Sequence, residues 1–135
     1  MQKRPQPRPV FKLLSGLAAF VLWGGWAYYI NGGSAHPASL KAAGVQGSAS
    51  FIITLLMVRA VTWLHGRLPS GTIQAWLPSV ITLSCTGSAL IAIHLLAGTP
   101  QILPTIAPAL LVGGLFCLYT SHTLRKMEAR HGQSG

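Results

Sequence analysis

The chain has 135 residues, half of them apolar, with ten Lys plus Arg against a single acid, Glu128. Charged residues make up 8% of it, whereas soluble domains carry about a quarter, so a soluble globular surface is excluded, and the chain is too apolar for disorder. One domain is the most this length holds.

A single acid also removes much chemistry. Paired-carboxylate hydrolysis needs two Asp or Glu residues, a Ser-His-Asp triad needs an orienting acid, and Mg²⁺ or Ca²⁺ sites need hard oxygen ligands. Glu128 lies in a basic tail and suits none of these roles. Cys85 and Cys117 form no CxxC motif, so thiol–disulfide chemistry is not indicated and both are expected to be small buried residues. No catalytic residue, metal ligand or cofactor is assigned, and the expectation is a protein that is not an enzyme.

Residues 1–12 are basic and Pro-rich, with Lys3, Arg4, Arg8 and Lys12 among Pro5, Pro7 and Pro9. They read as an extended tail on a membrane surface. Residues 13–30 carry no charge and cover nearly 30 Å as a helix, about one bilayer core. We expect an uncleaved first span, because three more apolar runs follow. Trp23, Trp26, Tyr28 and Tyr29 crowd its far end, as interfacial aromatics do, and Asn31, Gly32 and Gly33 break it.

A second span is expected over about 42–64, with Pro37 allowing an earlier start, and a turn over 65–74 follows. A third runs over about 75–97, with Trp76 as an anchor, Pro78 in its first turn and Gly98 as its cap. A fourth runs over about 105–124. Pro100, Pro104 and Pro108 surround its start, which suits either a helix entered through a kink or a short broken segment. Residues 125–135 form a second basic tail, expected to fray. The fold class is therefore an all-α integral membrane protein, a small bundle of four transmembrane helices over 13–124.

Charge sets the expected orientation. With both ends on one side, that side carries nine basic residues, Arg59 included, and the other only Lys41. Both termini are expected in the cytoplasm. The abundance of Ala, Gly and Leu and the excess of Arg over Lys suit a bacterial cytoplasmic (inner) membrane.

Arg59 is the only charge within a span, so it is a candidate for an anionic lipid phosphate or a partner's acid, with snorkelling to the interface as the competing reading. Gln46, Ser50 and Thr54 are spaced by four and form one stripe on helix two. Helix three carries Ser79, Thr82, Ser84, Cys85, Thr86, Gly87, Ser88 and Ala89, small residues that let helices approach. Helices two and three are thus expected to be the packed centre, with Arg59, Gln46, Ser50, Thr54, Thr82, Thr86 and His94 as candidates for lipid or partner binding. Four histidines form two conceivable pairs, His36 with His94 and His65 with His122, that a haem or metal would need brought face to face.

The function expected from these features is a non-enzymatic accessory subunit or lipid-associated scaffold, acting through helix–helix contacts and the anionic inner leaflet. Its expected partners are membrane lipids and either further copies of itself or a larger membrane complex. An oligomeric small transporter or channel and a haem or redox anchor are the alternatives. Nucleic acid is not an expected partner, because the basic residues are split among short segments.

Overall fold

The computed structural model describes residues 9–32 and 36–133. It is all-helical: α1 (Pro9–Ile30), α2 (Pro37–Arg67), α3 (Ile73–Ala97) and α4 (Ile102–Gly132). All four are long and apolar enough to cross a membrane. At 1.5 Å per residue, the 22 residues of α1 span about 33 Å and the 31 residues of α2 and of α4 about 46 Å each.

The helices outrun the apolar segments that announce them. α1 starts at Pro9, so residues 9–12 are helical rather than extended; proline fits a first helical turn, where its missing N–H has no partner to lose. Residues 1–8 lie outside the described residues. α2 starts at Pro37, capped by His36, whose Nδ1 accepts the Ala38 N–H at 3.3 Å. α4 continues through the basic tail to Gly132 instead of fraying at Leu124. Hydropathy marks where a chain turns polar, whereas a helix persists for as long as its residues favour it.

The prolines ahead of the fourth span do not make a separate segment. α4 begins at Ile102 and runs unbroken through Pro108. Pro104 sits in the first turn, where an N–H is dispensable. Pro78 is the sixth residue of α3 rather than a first-turn residue.

Glycines set the register of α1 on α2. A Cβ at Gly24 would meet the Ala43 carbonyl oxygen at 3.0 Å, one at Gly47 the Phe20 carbonyl oxygen at 3.0 Å, and one at Gly16 the Phe51 ring at 2.8 Å. Steps of four back along α1 thus meet steps of four forward along α2, so the two helices are antiparallel and nearly backbone to backbone. The α3–α4 pair is built reciprocally, with Leu110 over Gly87 and Leu83 over Gly114. α2 and α4 each pack against the other three helices, while α1 and α3 have no packed interface with each other. The pair that meets across the centre is therefore α2 with α4 rather than α2 with α3. Helix three divides its small residues: Ser79, Thr82 and Gly87 are buried, Thr86 is half-buried, and Ser84, Cys85, Ser88 and Ala89 face outward. Cys85 is thus exposed, against expectation, and Cys117 is buried.

Candidate functional site

The interior is inverted relative to a soluble protein. Among the described residues, the buried polar side chains outnumber the buried apolar ones, which are Ala27, Ala42, Val61, Pro78, Leu90, Ile106 and Cys117. Large apolar side chains such as Leu96, Val21, Leu103 and Leu111 are exposed. Most of the buried polar groups gather at the end of the bundle away from the termini.

His94 and Asn31 organise that end. Gly98 takes the left-handed conformation (φ 69°) that ends α3, and the Thr99 N–H returns to the His94 carbonyl at 3.0 Å. This turn swings the Thr99 hydroxyl to 2.7 Å from His94 Nδ1. On the other side of the ring, Nε2 lies 2.8 Å from Gln46 Oε1. An amide oxygen only accepts, so Nε2 donates to it and Nδ1 accepts from Thr99. Gln46 Nε2 faces Ser50 Oγ at 3.4 Å, which continues the chain along α2. Gln46 and His94 are both fully buried, and a buried amide or imidazole must be hydrogen-bonded or it destabilises the fold.

Asn31, at the end of α1, joins three helices. Its Nδ2 donates to the Ala27 carbonyl and to Thr105 Oγ1, each at 2.8 Å. Its Oδ1 accepts the Gln101 N–H at 2.9 Å, and its backbone carbonyl accepts Ser39 Oγ at 2.6 Å. Thr105 Oγ1 in turn donates to the Gln101 carbonyl. The residue that ends the first span thus fastens the starts of α2 and α4. Nearby, Trp26 Nε1 donates to the Pro104 carbonyl at 2.9 Å. That carbonyl is the one the N–H of residue 108 would take in a regular helix, and Pro108 has none.

The opposite end holds a smaller cluster. His65 is buried and its Nε2 lies 3.2 Å from Glu128 Oε2, an ion-pair distance without hydrogen-bond alignment. Gln74 Nε2 donates to the His65 carbonyl at 2.8 Å, satisfying one of the open carbonyls at the end of α2. Ser79 and Ser121 share a 3.0 Å hydrogen bond between α3 and α4. Thr82 Oγ1 is buried without a partner among the described residues.

The candidate residues therefore divide. Gln46, Ser50 and His94 converge in one network, and Thr82 is buried apart from it. Thr54 and Thr86 are half-buried, and Arg59 is exposed on α2. The two conceivable histidine pairs are otherwise engaged. His94 uses both ring nitrogens on Thr99 and Gln46, His36 is exposed and caps its own helix, and His65 faces Glu128 while His122 is exposed. Among the described residues no three His, Cys, Asp or Glu side chains converge as a metal would require. From sequence Asn31 is only a helix breaker, Trp26 an interfacial ring and Glu128 a tail charge, and Gln74 does not stand out. The one available signal was the spacing of Pro104 and Pro108, which marks a carbonyl in need of a donor.

Comparison with protein-family models, curated proteins and solved structures finds no match for this chain.

Proposed function

We propose that the protein is a non-enzymatic membrane scaffold or accessory subunit that works by lateral helix–helix contact. In this reading it is a four-span protein of a bacterial inner membrane with both termini in the cytoplasm. The bias of basic residues toward the terminal side supports that orientation. The inverted interior suits a lipid surround, since polar groups inside a bundle find partners that lipid cannot offer.

The observation that carries the functional reading is the composition of the outer surface. The outward faces of α1 and α4 are large and apolar, with Leu13, Leu17 and Val21 on one and Leu111, Leu115 and Phe116 on the other. α2 and α3 also expose large apolar residues, Leu56 and Leu96 among them, but their outward faces are interrupted by Gly44 and Ser48 on one and by Ser84, Cys85 and Ser88 on the other. Lipid chains gain nothing from hydroxyls and notches, whereas another helix does, through close backbone approach and hydrogen bonds. A shallow groove between α2 and α3 is lined by Gly44, Val45, Ser48, Ala49 and Ile52 on one side and Ile93 on the other. The partner is a transmembrane helix of a second copy or of another subunit. The internal polar network is already satisfied, so its role is to hold this face rigid rather than to bind a substrate.

Photo-crosslinking in the native membrane tests this. A photoreactive residue at Ser88 should give one discrete protein adduct, lost when Ser84, one turn away on the same face, is replaced by Leu, while the same probe at Leu115 should give only lipid adducts. Equal products at the two positions would overturn the reading.

A further inference from the structure

Along α2, Ile52, Leu56, Arg59, Trp63 and Arg67 are all exposed. At 100° per residue they fall within one narrow stripe, so the helix presents an apolar half followed by a cationic and aromatic half. The Arg67 guanidinium lies over the Trp63 ring, 4.6 Å from its centroid, which fixes the cation on the helix flank. Arg59 is one turn deeper than Trp63, about 6 Å along the axis. Neither guanidinium has a carboxylate partner among the described residues, and the Trp63 indole N–H has no acceptor among them. The single acid of the chain, Glu128, lies beside His65 at 3.2 Å rather than beside either guanidinium. The anion that these donors need is external.

We infer that this stripe is a binding site for one anionic phospholipid. Its phosphate is held between Arg59 and Arg67 at the level of the Trp63 indole N–H, and an acyl chain lies along Leu56 and Ile52. Guanidinium forks match phosphate oxygens bidentately, and a tryptophan with one apolar and one polar edge belongs at the headgroup level. The continuity of cationic and apolar halves on one exposed flank is what selects a lipid over a free anion, which would have no use for Ile52 and Leu56. The inference deepens the proposed scaffold reading by naming its lipid contact, and it rests on that reading for the membrane setting.

The test is tryptophan quenching in symmetric vesicles, which makes it independent of orientation. The protein is reconstituted in phosphatidylcholine containing phosphatidylglycerol, with bromine on the chains of one lipid or the other. The difference between wild type and Trp63→Phe isolates the Trp63 signal. Brominated phosphatidylglycerol should quench Trp63 beyond its share of the bilayer, and Arg59→Gln or Arg67→Gln should each reduce that preference about fivefold. Arg67→Lys, which keeps the charge but loses the fork, should retain part of it. Excess inorganic phosphate should leave it unchanged. Quenching in proportion to bulk composition would overturn the site. Displacement by inorganic phosphate would also overturn it, in favour of a free anion, and so would loss of the preference on adding an acidic peptide. All three side chains are exposed, and unchanged melting of the variants would show that folding is intact. If Ser88 crosslinking persists while the lipid preference is absent, only the lipid site falls.

Discussion

Trp26 on α1 donates its indole N–H to the backbone carbonyl of Pro104 on α4 at 2.9 Å, replacing the helical donor that Pro108 lacks. A proline defect in one span is thus repaired by an aromatic from another, and two helices that share little other surface are tied together. Pro104 is exposed on the flank of the bundle, so the bond is worth about 0.6 kcal/mol, as typical side-chain hydrogen bonds within membranes are, and up to about 1 where water does not reach the carbonyl.

Trp26→Phe should therefore lower stability by up to about 1 kcal/mol in detergent melts. In a Pro108→Ala background, where the helix supplies its own N–H, the same substitution should cost clearly less. An equal loss in both backgrounds would refute the repair, leaving ring packing as the explanation.

The glycine contacts predict opposite signs for one chemical change. Gly25→Ala and Gly44→Ala meet nothing within 4 Å and should be neutral or stabilising by up to about 1 kcal/mol, from helix propensity alone. Gly24→Ala and Gly47→Ala would place a methyl 3.0 Å from a backbone oxygen of the neighbouring helix, and should destabilise by about 1–3 kcal/mol. Thermal unfolding of the four variants decides; a uniform response would show that α1 and α2 are not in this register.

Gln46 and His94 should be energetically coupled. Either single change to Leu strands a buried partner, whereas the double change removes both polar groups. We expect the double variant to lose about 1 kcal/mol less than the sum of the singles. Strict additivity would break the link.

Haemin titration separates the network from a ligand site. Both His94 nitrogens are bonded within the protein, so haemin should give no bis-histidine spectrum in wild type. A sharp six-coordinate spectrum that His94→Ala abolishes would contradict the arrangement around this ring.

The four helices were legible because a long uncharged run leaves few alternatives. Their ends were not, since Pro9–Lys12 and the tail beyond Leu124 continue as helix for reasons hydropathy does not register. The stripe of Gln46 and Ser50 was readable from its spacing, but its partner was not, because His94 lies 48 positions away. Asn31 read as a helix breaker, which is its local role; its tie to Thr105, 74 positions on, exists only in the tertiary fold. Glu128 read as a stray tail charge because nothing local connects it to His65. The small residues of α3 suggested packing, but composition alone could not say that Ser84, Cys85 and Ser88 turn away from the bundle.

The central claim is that the outward α2–α3 face binds another transmembrane helix. Native mass spectrometry of the protein released from its own membrane in lipid nanodiscs tests it most directly. The account predicts a wild-type mass above that of one chain plus lipid, by a whole number of chains or by a defined second subunit, and collapse to a single chain in a Ser84→Leu/Ser88→Leu variant that still folds. A wild-type protein that leaves the membrane as one chain with lipid alone would contradict it.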